Sequence, residues 1–180
     1  MHNPFLEGKA VYLRALEADD AGQFAQWLES PGAHEVKTRH PFVAQMVNRI
    51  FLDRLYDLPV ENIYWGVASP RDHRLLGVAG LGRLDQLNRH AEMLLVFAED
   101  RLWKETPARE TLDLVIGYAF GTLNLHRLAL NVPATCAAER RSYEDAGFVL
   151  EVTLREQLLV ETGYADLCHY GLLNPKHGSG

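Results

Sequence analysis

Residues 107–123 carry the pattern that most limits what this chain can become. Pro107 suits a first helical turn, and Leu112, Val115, Ile116, Ala119, Phe120 and Leu123 recur at helical spacing as one apolar stripe. A strand-like run precedes it, Ala91 to Ala98, and another follows, Arg127 to Val132. Strand, helix and strand in that order form a crossover, which joins parallel neighbours. Upstream, Ile63–Ala68, Leu75–Leu84 and Ala91–Ala98 are separated only by turn-like Ser69–His73 and polar Asp85–His90, so they read as an antiparallel meander. The sheet is therefore mixed, and its parallel and antiparallel parts separate near the ends of 91–98 and 127–132, where ligands favour such sheets.

The rest of the chain extends the same scheme. Val11–Ala15 alternates like a strand, and Asp19 opens a helical face of Ala21, Phe24, Ala25 and Leu28. A second helical pattern carries Val43, Val47, Ile50, Phe51 and Leu58. Ala137–Ala146 reads as a short helix stopped by Gly147, and Phe148–Val160 and Tyr164–Leu172 as strands joined around Glu161-Thr162-Gly163. The predicted order is βααβββαβαββ, an α/β (α+β) fold. It has a mostly antiparallel central sheet of about seven strands, with helices on both faces. The 180 residues make one domain, 1–174, with a short flexible tail, 175–180.

Composition excludes several classes. Eighteen Lys and Arg against 24 Asp and Glu leave a net charge of -6, which argues against nucleic acid and anionic membranes as partners. The basic residues nevertheless concentrate locally at Arg101, Lys104, Arg109, Arg140 and Arg141, enough to hold one small anion. No run of apolar residues is long enough for a membrane span and no leader pattern opens the chain, so a cytoplasmic location is expected. Cys136 and Cys168 lack disulfide-framework or zinc-ligand spacing, and no metal is expected. Gly77, Gly80 and Gly82 lie in a strand that leads to another strand. They are no dinucleotide fingerprint and instead permit a bulge or a close approach.

Four segments in this order carry a family likeness: Glu92-Met93-Leu94-Leu95, Trp103 to Leu112, Ser142-Tyr143-Glu144-Asp145-Ala146-Gly147-Phe148, and Gly163-Tyr164-Ala165-Asp166. Together they resemble the GNAT family of N-acetyltransferases, nearest the branch that acetylates ribosomal-protein N-termini and related amines. The resemblance covers Gly8 to Leu173. It implies acetyl transfer from acetyl-CoA to a primary amine, by direct attack on the thioester. The acceptor would be a small molecule or a peptide N-terminus, and a homodimer is open. Backbone donors at Leu95, Val96, Phe97 and Ala98 would polarise the thioester carbonyl. Trp103, Lys104, Thr106, Ala108, Arg109 and Cys136 would surround the cofactor. Tyr143 would protonate the leaving thiolate, or else pack its ring beneath the sheet. Glu92 matches a position of a general base, with a solvated strand-end carboxylate as the other reading. His34, Glu35 and His40, beside Arg39, fall in a loop that resembles an acceptor wall, or is simply solvated.

The sequence departs from the family at the phosphate loop. The usual glycines fall on Lys104 and Thr106, with Glu105 between them and Pro107 next. Glycine allows close backbone approach, proline donates no N–H, and Glu105 adds negative charge where phosphates belong. Two other readings follow: a module of the same fold that no longer binds acetyl-CoA, and transfer of a different acyl group.

Overall fold

The computed structural model describes residues 3–17, 19–20, 22–23, 62–160 and 163–177. Most of the two early helices expected within 21–58 lies outside them, as do His34, Glu35, Arg39 and His40. One eight-stranded sheet organises the described residues, in the order β1-β2-β3-β4-β5-β6-β8-β7. Its strands are β1 Pro4–Glu7, β2 Tyr12–Arg14, β3 Ile63–Ala68, β4 Leu75–Asp85, β5 His90–Phe97, β6 Arg127–Pro133, β7 Val149–Val160 and β8 Gly163–Leu173. A 3-10 turn, Asp100–Lys104, leads into α1, Thr106–Gly121, and α2 spans Ala137–Asp145. Pro175–His177 forms a final 3-10 turn, so the tail expected from residue 175 keeps local structure that far.

The expected seven strands are all present, and β1 is an eighth. It pairs with β2 as the sheet edge, which the short run Pro4-Phe5-Leu6-Glu7 did not announce. All neighbours are antiparallel except β5 and β6, which pair in parallel across the α1 crossover. Burial follows the alternation. Ala91, Met93, Leu95 and Phe97 of β5 face one core with Leu128, Leu130 and Val132 of β6. Ala108, Leu112, Val115 and Ala119 of α1 fill it from above. Among the described residues no helix is long and apolar enough to cross a membrane.

Glu110 fixes the amino-terminal end of this core. Its carboxylate accepts hydrogen bonds from the backbone N–H groups of Lys9 (2.6 Å), Ala10 (2.6 Å) and Val11 (2.8 Å). One side chain of α1 thus closes the turn between β1 and β2. Glu110→Ala leaves three donors short of partners, two of them part-buried, and is expected to cost about 2 kcal/mol. Urea denaturation of the variant checks this; a midpoint equal to that of wild type contradicts it.

Candidate active site

The β5–β6 ladder is short. Its paired positions are His90↔Arg127, Ala91↔Leu128 and Glu92↔Ala129, and beyond Glu92 the two strands part. On its other side β5 stays paired with β4 as far as Phe97↔Gly77. The Ala98 N–H donates to the Leu76 carbonyl at 2.8 Å. Antiparallel strands alternate the direction of their backbone groups, so Val96 and Ala98 turn toward β4 while Leu95 and Phe97 turn toward the gap. This corrects the expectation of four free donors: Ala98 and Val96 serve the sheet, and Leu95 and Phe97 present N–H groups to the opening.

Beside the gap lies the junction of the 3-10 turn, α1 and α2. Trp103 is buried, with its ring edge-on to Phe97 (5.1 Å) and Tyr143 (5.5 Å). Its carbonyl accepts a hydrogen bond from Ser142 Oγ at 2.5 Å, which fastens α2 to the turn. Outside this joint is a cleft of about 600 Å³, lined by Trp103, Lys104, Glu105 and Arg109 on one side. Ala137, Ala138, Arg141, Ser142 and Asp145 of α2 form the other wall. Of the cofactor residues expected from sequence, Trp103, Lys104 and Arg109 meet here. Thr106 is exposed in the first turn of α1 and the Ala108 side chain is buried in the core, so neither lines the cleft. Cys136 caps the start of α2 and also lies off the lining.

The basic patch divides once its partners are known. Arg101 bonds Glu99 (2.6 Å) and Glu105 (3.1 Å), and Arg140 bonds the Tyr170 hydroxyl (3.0 Å) and the Ala134 carbonyl. Both are committed to the scaffold. Arg109 is anchored by Asp113 (3.1 Å) and the Asp145 carbonyl (2.6 Å), and Arg141 by Asp145 (2.9 Å), while both line the cleft. Lys104 has no ion-pair partner among the described residues. Glu105, the unfavourable charge in the loop, is offset by Arg101. At the start of α1 the Glu105 side chain makes no capping bond, leaving first-turn N–H groups open to an anion, although Pro107 supplies none.

Two expected proton-transfer residues sit in contrasting surroundings. Tyr143 is buried against Trp103 and Phe148. Desolvation first, then the nearby Glu139 carboxylate, pushes its phenol well above the usual range, so it keeps its proton. Glu92 accepts a hydrogen bond from Arg83 at 2.8 Å, in an exposed pair. His90, on the same face by alternation, stands 3.5 Å from Asp85. Of the two readings of the β4 glycines, the bulge fits the register irregularity between Gly82 and Asp85, and the close approach at Gly77 and Gly80 is that of neighbouring strands. A side chain at Gly77 would strike the Val96 carbonyl, and one at Gly80 would meet the Ile63 carbonyl at 2.9 Å.

Sequence reasoning missed Glu139 as a titrating group. Burial, then the charge of Asp100, raises its carboxyl from an ordinary 4.5 to about 7. A raised carboxyl binds more protons folded than unfolded, so stability falls as pH climbs from about 4.5 to 7 and is level above that. The shift corresponds to at most about 3 kcal/mol. Glu139→Gln is therefore expected to raise Tm by roughly 5 °C at pH 8 and to leave it unchanged at pH 4. Thermal melts at the two pH values check this, and an equal shift at both contradicts it.

A family model, the acetyltransferase (GNAT) domain, matches residues 10–149. The chain belongs to the GNAT family. As a GNAT protein it is an acyltransferase by class, and the fold agrees: the spermidine N-acetyltransferase of Vibrio cholerae, solved in complex with CoA and spermine, superposes with a TM-score of 0.83. That comparison has 22% identity and covers 94% of this chain and 99% of the other. Among GNAT sequences, the spermidine N(1)-acetyltransferase of Vibrio cholerae serotype O1 is 28% identical over 111 residues, 62% of this chain and 64% of that relative. The match thus spans under two thirds of that relative's length. YdaF, a ribosomal N-acetyltransferase-like protein of Bacillus subtilis (strain 168), is 33% identical over 102 residues, 57% of this chain and 55% of YdaF. The ribosomal-type branch expected from sequence thus has a counterpart among the GNAT relatives, alongside the polyamine enzymes.

Proposed function

We propose that residues 1–174 form one domain that transfers an acetyl group from acetyl-CoA to a primary amine. One observation carries the reading: the Leu95 and Phe97 N–H groups face an opening between parted strands, next to a cleft walled by three cations. Two fixed donors suit an oxygen that gains negative charge, because they need no reorganisation when the charge appears. Lys104, Arg109 and Arg141, with the open first turn of α1, would hold the phosphates in place of a glycine loop. Charged side chains replace the backbone donors that the Lys104–Pro107 sequence removes. The cofactor supplies an acyl group activated as a thioester.

In this reading Tyr143, protonated at rest because burial raises its phenol, gives its proton to the departing sulfur and regains one from the nitrogen of the newly formed amide. Glu92, the sole carboxylate on β5, takes the ammonium proton after exchanging Arg83 for the amine. A net charge of -6 favours a cationic acceptor, and the spermidine acetyltransferases among the relatives support a small amine.

The glycine-free segment 104–107 favours a second reading, a GNAT-fold binding module without acetyl transfer. Calorimetric titration with CoA and with acetyl-CoA separates the two. Micromolar binding of both, with acetylated amine formed on adding a polyamine, is the expected result. No heat at millimolar ligand rejects the transferase.

A further inference from the structure

Another hollow, sharing no lining residue with the cleft, lies between the β1–β2 turn and the β3–β4 turn. Its volume is about 270 Å³, and Pro4, Glu7, Gly8, Tyr12, Pro70 and His73 line it. The sheet builds one wall. Glu7 and Tyr12 are directly paired across β1 and β2, so their side chains lie beside each other on one face. Leu6 and Leu13, one position away, turn to the core on the other face. Tyr12 is buried, and its hydroxyl shares a hydrogen bond with His73 Nδ1 at 3.1 Å. The two rings stand 5.9 Å apart at 71°, as aromatic walls nearly at right angles. Both turns are held in place. Glu110 closes the β1–β2 turn, and a side chain at Gly8 would stand 2.5 Å from its carboxyl carbon. In the other turn the His73 N–H donates to the Ser69 carbonyl at 2.9 Å. His73 sits there at φ +59°, a left-handed conformation that costs a non-glycine residue energy, and the fold keeps its imidazole against Tyr12 nonetheless.

We propose that this hollow binds the quaternary ammonium group of a small free molecule. Three observations select that chemistry. First, the charge is right. Glu7 brings a carboxylate with no ion-pair partner among the described residues. Neither Arg71 nor Arg74 of the facing turn lines the hollow, and Arg74 is engaged by Asp72 (3.7 Å) and Glu99 (3.6 Å). Second, the faces of Tyr12 and His73 attract a cation through the ring quadrupole, more strongly where water is excluded, and the rings of Pro4 and Pro70 add apolar contact for methyl groups. Third, hydrogen-bonding capacity is short. The Tyr12 hydroxyl and His73 Nδ1 are already bonded to each other, so a primary ammonium, with three N–H donors, loses more hydration than the hollow returns. A quaternary ammonium has no donor to satisfy. The size fits a small molecule, since sites for drug-sized ligands start at about 300 Å³. A lipid head group is disfavoured because none of the exposed large hydrophobic side chains among the described residues lines the hollow to enter a bilayer.

Titration of the full chain with tetramethylammonium chloride and with choline, read by calorimetry and by NMR of the ligand methyl protons, tests this. Both ligands are expected to bind saturably with methyl signals shifted upfield by the rings, and methylammonium about ten-fold more weakly. His73→Gly removes one aromatic wall and at the same time relieves the positive φ, so it should melt no lower than wild type. It is expected to bind tetramethylammonium about ten-fold more weakly, and Glu7→Gln to lose a similar factor. No saturable binding to wild type by about 20 mM ligand overturns the proposal. So does methylammonium binding as tight as that of tetramethylammonium, or undiminished binding by His73→Gly. Co-sedimentation of wild type with phosphatidylcholine vesicles, abolished by His73→Gly, overturns the assignment to a free molecule. CoA takes no part in these measurements, so their outcome is separate from that of the acetyl-transfer reading.

Discussion

Gly77→Ala is expected to lower stability by about 3 kcal/mol, among the larger effects of adding one methyl group. Gly77 pairs with Phe97, and its missing side chain is where the Val96 carbonyl lies. An added Cβ would also stand 2.8 Å from Phe97 Cδ1 and 3.2 Å from Phe97 Cα. The carbonyl and Cα belong to backbone, which cannot rotate away as a flexible side chain can, so β5 itself must move. That movement displaces the strand end bearing the Leu95 and Phe97 N–H groups, so turnover should fall further than the folded fraction does. The matched control is Gly117→Ala on the exposed side of α1, where an added Cβ meets nothing within 4 Å. It should stabilise by roughly 0.5–1 kcal/mol through helix propensity. Thermal melts and initial rates on both variants check the pair. A Gly77→Ala protein with wild-type Tm contradicts the packing argument.

Tyr143→Phe is expected to reduce kcat by about 10²-fold, at the low end of what a positioned proton donor contributes. The KM for acetyl-CoA should change by no more than about two-fold, since the ring and its contacts with Trp103 and Phe148 persist. Burial raises the phenol well above its usual range, so its protonation is constant across the working pH. The fold-loss on removing the hydroxyl should therefore be the same at pH 7 and pH 9. A loss that grows with pH would point to a titrating acid, and an unchanged kcat would leave Tyr143 a packing residue. Steady-state rates at both pH values, with melts to confirm folding, distinguish these outcomes.

The elements near the site were readable because their periodicity is strong. Leu112, Val115 and Ala119 of α1 are buried as the helical stripe requires, and β3 has the predicted ends. β1 escaped notice because four residues beginning with proline offer too little alternation to separate a strand from a tail. The separation near the ends of β5 and β6 was expected from the strand order, whereas the free backbone donors there came from the family resemblance. Which N–H groups face the opening needed the register, since a shift of one residue exchanges Leu95 for Val96. The cations show the same limit: Arg101 and Arg140 look equivalent to Arg109 and Arg141 in sequence, and only folding reveals that Glu105 and Tyr170 engage them. Of the α2 wall, sequence singled out Arg141 by its charge; Ala137 and Ala138 were missed because small residues carry no chemical signature. The spacing Ala138-Ser142-Asp145 was the wall's other readable sign.

The short parallel ladder has a consequence for hydrogen exchange. Amides in the middle of a buried sheet normally exchange only when the strand opens. Here Val96 and Ala98 should be protected for hours, whereas Leu95 and Phe97, their immediate neighbours on the same strand, should exchange quickly through the gap. Such an every-other-residue pattern is unlike fraying, which releases consecutive amides from an end. Ligand that occupies the opening should slow Leu95 and Phe97 selectively. Two backbone positions then report occupancy of the site in a protein with every side chain left as it is.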